Sequence, residues 1–277
     1  MKLFTGFIFI AALFLFPGTG FTRESFILGV APHTSARVIL EMYQPLRTHL
    51  EKSLKIPVEV VTAPDFDNFA RRAIAGEYDL AVTTGHQARL LQTDAGYLPL
   101  LTYKADFKAV ALVARKSPIH APEDLKGKNT LGLSPTSLVT LWGQHWLADN
   151  GLSAVPVRYV SASDSVAQLV VAGDAAAGFT SMANYQKLSS EVRAQIRILA
   201  ESPTMAGRVY MLNSRYAARE KEIDAALWSF ADTAEAKRYF ETNKLEGYRK
   251  LKPKELKAMD RYAAEVRKSL TGAKGDK

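Results

Sequence analysis

The segment Ser134-Pro135-Thr136-Ser137 combines residue types that can bind a small anion. Serine favours the N-cap of a helix, proline favours the first helical position, and the amide groups that follow have no partner within the helix. Free amides, hydroxyl groups and the positive end of the helix dipole together attract an oxyanion. An ordinary helix cap at Ser134 has the same sequence pattern, so the segment alone leaves both interpretations open.

Other candidate ligand-binding residues lie in loops that follow predicted strands or precede predicted helices. Ser163 and Asp164 stand at a predicted helix start, where Asp164 either caps the helix or shares a proton with an anionic ligand. The remaining candidates are either hydrogen-bond donors to an anion or partly exposed loop residues: His33, Thr34, Thr84, His86 and Tyr103.

Residue patterns typical of catalysis or metal binding are scarce. The chain has no cysteine, and its five histidines do not occur at the close spacing of a metal site. It has neither a Gly-x-Ser-x-Gly elbow nor a phosphate-binding glycine loop followed by Lys-Ser or Lys-Thr. We therefore expect no metal, no cofactor and no enzymatic activity, although spacing alone does not test for a Ser–His–Asp arrangement assembled in space.

Length and composition are those of a globular chain with a basic charge. Its 277 residues are 47% hydrophobic and 23% charged, which excludes wholesale disorder and collagen-like structure. The length suggests about two domains. The formal net charge of +8 suits anionic ligands or anionic surfaces without distinguishing between them.

Residues 1–20 have the pattern of a secretory signal peptide. Met1-Lys2 precede an apolar run from Leu3 to Phe16, and Pro17-Gly18-Thr19-Gly20 follow it. The run is shorter than the ~20 residues of a membrane-spanning helix, although an uncleaved anchor is the alternative. We predict cleavage near Gly20 and a location in the periplasm. Export also argues against nucleic acid as the partner of the basic charge.

Two copies of one unit follow, at residues 26–85 and 130–181. Each has the predicted order strand-helix-strand-helix-strand, inferred from short apolar runs and from apolar residues three or four apart. Leu28-Gly29 and Leu131-Gly132 open the two copies, and Ala75-Gly76 and Ala172-Gly173 precede their third strands. This alternation requires parallel strands with covering helices, because each crossover must be long and right-handed.

The repeat predicts an α/β protein of two lobes, each a mostly parallel sheet flanked by helices. Ligands of such sheets bind at the carboxyl ends of the strands, so we expect a ligand cleft between the lobes. Segments 98–116 and 196–212 contain the predicted crossings. We assign residues 24–112 and 201–277 to lobe 1 and residues 113–200 to lobe 2.

Short segments in a characteristic order extend over nearly the whole mature chain, and they are Gln44-Pro45-Leu46, His49-Leu50-Glu51, residues 75–81, residues 121–128 and Glu201-Ser202-Pro203. With these segments, an exported chain of this organisation resembles the periplasmic substrate-binding proteins of phosphate, phosphite and phosphonate ABC transporters. The resemblance implies a type II periplasmic-binding fold whose first lobe is completed by C-terminal helices. It also implies that a Ser/Thr cluster, here Ser134, Thr136 and Ser137, holds the anion. Where phosphonate binders usually have Ser-His-Asp, this chain has Ala162-Ser163-Asp164.

These observations predict the solute-binding component of an ABC transporter. As a monomer it would bind a small oxyanion (phosphate, phosphite or phosphonate-like) between its lobes and deliver it to an inner-membrane permease. We expect Thr136 and Ser137 of lobe 2 to bind the ligand opposite Thr84 and Tyr103 of lobe 1. Two other functions can use the same fold: a ligand-binding partner of a membrane sensor kinase, and a periplasmic enzyme.

Overall fold

The computed structural model describes residues 25–160 and 163–272, without the side chains of Ser163 and Asp164. The predicted signal peptide, residues 1–20, lies outside the described residues. Within the described ranges, no helix is both long enough and apolar enough to cross a membrane.

The first part of the chain forms the first copy of the repeat and one further strand. Its elements are β1 (Phe26–Val30), α1 (Ala36–Leu54), β2 (Val58–Val61), α2 (Phe66–Ile74), β3 (Leu80–Thr84), α3 (Gly85–Asp94) and β4 (Leu98–Tyr103). Helix α1 shows why the local sequence folds this way, because its buried residues are spaced three or four apart and form one apolar face. They are Ile39, Tyr43, Leu46, Leu50 and Leu54.

The middle of the chain repeats this order after one additional strand. Its elements are β5 (Ala109–Ala114), β6 (Thr130–Gly132), α4 (Leu138–Asp149), β7 (Val157–Tyr159), α5 (Ser163–Ala172), β8 (Ala177–Ser181), α6 (Met182–Lys187), α7 (Ser190–Gln195) and β9 (Ile196–Glu201). The last part contains β10 (Arg208–Leu212), α8 (Glu220–Ala231), α9 (Ala234–Asn243), β11 (Tyr248–Arg249) and α10 (Asp260–Gly272). Short 3₁₀ helices occur at Pro122–Leu125, Ser214–Arg219 and Lys257–Met259.

The strands form two sheets, and the three strands of the repeat lie in the same order in both. The first sheet runs β11-β4-β10-β3-β1-β2 and the second runs β7-β6-β8-β5-β9. In each, the three strands of the repeat pair in parallel, as predicted. The strands added beside them, including β10 next to β3 and β5 next to β8, pair antiparallel. The two lobes are therefore duplicated parallel units extended by antiparallel strands.

Two connections join the sheets, at residues 104–108 and 202–207. They pair with each other through an isolated bridge, in which the Met205 amide donates to the Phe107 carbonyl at 2.9 Å. All of β5 and β9 pair within the second sheet, so residues 109–112 and Glu201 belong with the second lobe rather than, as predicted, with the first. The reason is that β5 is uniformly apolar and its sequence does not reveal which sheet it joins.

Helices from the two lobes share one apolar core. Trp142 of α4 belongs to the same buried cluster as Phe69 of α2 and Val266 of α10. Helix α10 packs along α3 and also contacts α4, so it touches both lobes.

The glycines that open the two repeats allow close packing against their sheets. A Cβ atom on Gly29 would lie 2.4 Å from the ring of Tyr78, and one on Gly132 would lie 2.6 Å from the Thr140 hydroxyl oxygen. Both distances are too short for a side chain, so glycine is required at these positions for a packing reason.

Candidate ligand-binding site

A cleft of about 1580 Å³ lies where the carboxyl ends of the parallel strands of both lobes meet. From the first lobe it is lined by residues 32–36 after β1, by residues 63–66 after β2 and by Thr84 at the end of β3. From the second lobe it is lined by residues 133–135 and 137–139, by Tyr159 and Val160, and by much of α6. This is the position at which a pair of such sheets binds a ligand.

Helix α4 begins at this cleft, and its N-cap is Ser137. The Ser137 hydroxyl oxygen accepts a hydrogen bond from the Thr140 amide at 3.4 Å and donates one to the Thr140 hydroxyl at 2.8 Å. The expectation that Ser134 caps this helix is therefore wrong. Residues 134–137 form a turn closed by the Ser137 amide and the Ser134 carbonyl at 3.1 Å, so the helix starts three residues later.

Ser134 lines the cleft directly in front of α4. Its hydroxyl oxygen is buried and has no hydrogen-bond partner among the described residues. Leu138 and Val139, which also line the cleft, are the first residues of α4, whose amides lack partners within the helix. A buried hydroxyl without a partner is costly, because its hydrogen bonds with water have been lost. An anionic oxygen in front of α4 would satisfy these groups.

Arg208, the first residue of β10, brings a positive charge into the cleft from the first lobe. Its guanidinium donates one hydrogen bond, at 2.9 Å, to Nε2 of His33, and lies 5.3 Å from the centre of the Tyr103 ring. Among the described residues, no carboxylate oxygen lies within 4.0 Å of it. Its other N–H donors are therefore available to an anion.

His33 is neutral and accepts a hydrogen bond that positions Arg208. Burial lowers the pKa of His33 to about 3, and the positive charge of Arg208 contributes to this shift. The Nδ1–H group donates to the Ala31 carbonyl at 2.9 Å, so Nε2 is free to accept from Arg208. His33 thus lines the cleft as predicted, but its polar atoms are used to position the arginine.

Tyr103 lies beneath Arg208 in a cluster of five buried tyrosines joined through their hydroxyl groups. Its hydroxyl contacts those of Tyr210 at 2.8 Å and Tyr239 at 2.6 Å, and more weakly that of Tyr43 at 3.4 Å. Tyr248 joins through Tyr210 at 2.8 Å. Burial raises the pKa of Tyr103 well above its usual value, so it is neutral. Its hydroxyl serves this cluster, and its ring supports the guanidinium of Arg208.

Lys187 adds a second positive charge from the opposite lobe. It is the last residue of α6 and lines the same cleft. Burial lowers its pKa, and the charge of Arg208 lowers it further. Within the described part of the chain, its ammonium group has no ion pair.

His86 and Thr136 join the lobes behind the cleft and do not line it. The Nε2–H group of His86 donates to the Thr136 carbonyl at 2.9 Å, and its Nδ1 accepts from the Thr84 hydroxyl at 3.1 Å. The Thr136 hydroxyl donates to the Asp67 carboxylate, which also accepts from Ser269 at 3.0 Å. His86 and Thr136 are buried, so we do not retain them as ligand contacts.

The cleft therefore brings together five of the sequence-predicted residues, namely His33, Thr34, Thr84, Ser134 and Ser137, with the ring of Tyr103 at its floor. Thr34 is exposed at the cleft surface. The side chains of Ser163 and Asp164 lie outside what the structure describes.

Sequence reasoning missed Arg208 and Lys187. The available signal was an arginine at the head of an otherwise apolar strand, directly after Gly207. In the residues that the structure describes, no group of three His, Asp or Glu side chains is placed to hold a metal ion.

Known proteins share this architecture. Residues 28–256 match the family described as "ABC transporter, phosphonate, periplasmic substrate-binding protein". No curated protein matches the sequence.

Three solved structures illustrate the likeness. XAC2383 from Xanthomonas citri bound to chloride ion is 21% identical with a TM-score of 0.77, covering 88% of this chain and 99% of that chain. PhnD1 from Prochlorococcus marinus in complex with methylphosphonate is 14% identical with a TM-score of 0.77, covering 89% and 99%. The periplasmic aliphatic sulphonate binding protein SsuA from Escherichia coli is 17% identical with a TM-score of 0.58, covering 90% and 82%.

These likenesses support the two-lobed fold of type II periplasmic binding proteins. The family match covers most of the sequence and agrees with the resemblance seen in its short motifs. The chain belongs to the family of periplasmic substrate-binding proteins of phosphonate ABC transporters.

Proposed function

We propose that this chain binds a phosphonate-type tetrahedral oxyanion in its interlobe cleft and delivers it to an inner-membrane permease. The observation that carries this proposal is the buried, unpartnered hydroxyl of Ser134 at the cleft wall, in front of α4. Hydroxyl and amide donors at a helix start suit an oxyanion, because several oxygens can each accept a hydrogen bond. The methylphosphonate bound to PhnD1 is consistent with this ligand class.

The ligand would contact both lobes. Ser134 and the amides of Leu138 and Val139 approach it from the second lobe, and Arg208, with Thr34 and Thr84 nearby, from the first. A ligand that contacts both walls stabilises the closed arrangement by the difference between its free energies of binding to the closed and open forms. The connections at residues 104–108 and 202–207 are the hinges of this motion.

Calorimetric titration with methylphosphonate tests the proposal. Ser134→Ala should weaken binding about tenfold or more, because a hydrogen bond to a charged acceptor is worth ~1.5–3 kcal/mol. Ser190→Ala, at an exposed serine on α7, is the matched control and should bind as the wild type does. Absence of methylphosphonate binding by the wild-type protein would contradict the proposal.

The bound compound should be released from the cleft chemically unchanged, because we propose a binding protein and not an enzyme. Mass spectrometry of methylphosphonate recovered after long incubation should show the intact compound. A product that forms in proportion to protein concentration would favour the alternative of a periplasmic enzyme.

We also propose that residues 1–20 are removed on export and that the mature protein is a monomer. N-terminal sequencing of periplasmic protein should begin between Gly18 and Arg23, and light scattering should give the mass of one chain. Recovery of the full-length chain in the membrane fraction would contradict cleavage.

A further inference from the structure

Arg208 and Lys187 are two positive charges that reach one cleft from opposite lobes. Arg208 begins β10 of the first sheet, and Lys187 ends α6, which follows β8 of the second. Both line the same cleft, where burial lowers the pKa of Lys187 and the charge of Arg208 lowers it further. Neither has an ion-pair partner among the described residues.

The acidic residues of the cleft do not neutralise this pair. The carboxylate of Asp65 accepts hydrogen bonds from the amide and the side chain of Asn68, both at 2.7 Å, and that of Asp106 accepts from Thr204 at 3.4 Å. Glu246 also lines the cleft, but no carboxylate oxygen of a described residue lies within 4.0 Å of either cation. By contrast Lys108, in the same cleft, is paired with Glu201 at 3.3 Å.

The arginine is also held in place before any ligand arrives. Its guanidinium is fixed by neutral His33 on one side and by the face of the Tyr103 ring on another. These contacts hold the charge without neutralising it. The planar fork of an arginine arranged in this way suits two anionic oxygens, as along one edge of a tetrahedral oxyanion.

We propose that Arg208 and Lys187 select doubly charged tetrahedral oxyanions over singly charged ones of the same shape. This inference rests on the proposed function and names the residues that set its charge specificity. Two like charges from opposite lobes repel each other and oppose closure of the empty cleft. A dianion neutralises both charges, whereas a monoanion of equal size leaves one positive charge uncompensated in the closed cleft.

Methylphosphonate and methanesulfonate provide the test, because they have the same shape and differ in charge. At about pH 8.5 the phosphonate carries two negative charges, as phosphate esters do above their second pKa of ~6, and the sulfonate carries one. The wild-type protein should bind methylphosphonate at least about tenfold more tightly in calorimetric titrations.

Lys187→Gln should lower the affinity for methylphosphonate by about tenfold and lower that for methanesulfonate less, so that the preference between them shrinks. Lys108→Gln removes an equal charge from the same cleft, but one already paired with Glu201, and should leave the preference unchanged. Arg208→Lys keeps the charge without the planar fork and should weaken both anions. Melting curves of the Arg208 variant check that it is folded. Lys187, the last residue of α6, tests the idea independently.

Three results would overturn the inference, and they show whether the proposed function fails with it. If the wild-type protein binds both anions equally well, or if Lys187→Gln retains the full preference, the charge specificity fails while oxyanion binding stands. If the wild-type protein binds neither anion, the proposed function and the inference fail together.

Discussion

Ser134 and Ser137 show how two identical side chains three residues apart acquire different roles. Ser137 caps α4, and the Ser134 hydroxyl is buried without a partner. We expect Ser137→Ala to lower the free energy of unfolding by about 1 kcal/mol, as loss of an N-cap does. Ser134→Ala should leave it unchanged or raise it, because the buried hydroxyl forms no hydrogen bond with any described residue.

Urea denaturation of the two ligand-free variants measures this difference. A larger loss of stability in Ser134→Ala than in Ser137→Ala would contradict these roles. Together with titrations of the Ser134 variant, the comparison separates a residue that stabilises the helix from one that contacts the ligand.

His86 should make stability depend on pH. Burial lowers its pKa to about 4, whereas an unfolded histidine has a pKa of ~6.5. Between these values the unfolded chain binds a proton that the folded protein does not, so stability is complete above ~pH 6.5 and falls as the pH decreases towards 4. The loss from His86 should reach about 2 kcal/mol at pH 5.

Denaturation of wild type and His86→Gln at pH 7 and pH 5 checks this expectation. Glutamine can donate to the Thr136 carbonyl but does not titrate, so the variant should lose less stability between the two pH values. His120→Gln, at an exposed histidine, is the control and should follow the wild type. Equal losses in all three proteins would contradict the assignment.

Arg208 illustrates why residue roles were harder to predict than residue positions. In sequence it is an arginine between a glycine and an apolar strand. Its importance depends on His33 and Tyr103, which lie far away along the chain and meet it only in the folded protein. His86 and Thr136 show the converse, because polar loop residues can join two lobes as readily as they can bind a ligand.

At the scale of elements, Gly132 sets the distance between β6 and the start of α4. An alanine Cβ would lie 2.6 Å from the hydroxyl oxygen of Thr140, which accepts bonds from the Leu133 amide and the Ser137 hydroxyl at 2.8 Å each. We expect Gly132→Ala to lower stability by about 1–3 kcal/mol, because overpacking must displace the helix start. Binding of methylphosphonate should weaken as well.

Gly272→Ala is the matched control for this substitution, since no atom would lie within 4 Å of its Cβ and it stands at the end of α10. Thermal melts should show little change in the control. Equal effects of the two substitutions would contradict close packing at Gly132.

The repeated unit was predictable because its signals are local. Apolar spacing marked the helices, and the order of elements required parallel strands β1 to β3 and β6 to β8. The insertion of β10 between β3 and β4 was not predictable in the same way. Its place in the sheet depends on pairing partners more than a hundred residues away, which an apolar strand does not specify.

At the scale of the whole molecule, the contact between Thr136 and Asp67 should favour the closed arrangement of the lobes. Thr136→Val keeps the shape of the side chain and removes its hydrogen bond to a carboxylate. We expect the ligand-free variant to have a larger radius of gyration in X-ray scattering. Its affinity for methylphosphonate should fall several-fold, because binding must also close a cleft that is more often open.

Thr93→Val is the matched control, because among the described residues the Thr93 hydroxyl bonds only within the first lobe, to residues of α3 and to Arg267 of α10. It should leave the scattering unchanged. If Thr136→Val weakens binding without altering ligand-free scattering, Thr136 contacts the ligand directly and its hydroxyl does not join the lobes.

The position of β10 also determines the order in which the chain can fold as it emerges during synthesis. Strand β4 lies between β10 and β11, so it has neither neighbour until residues far along the chain arrive. The sheet of the second lobe needs only residues 109–201, which emerge together. Because domains tend to fold as units during emergence, the second lobe should fold first. Until β10 arrives, β3 is an open edge of the first sheet and β4 has no pairing partner. Open edges and unpaired strands can pair with other chains, so we expect this stage to be the one most prone to aggregation and most dependent on a chaperone.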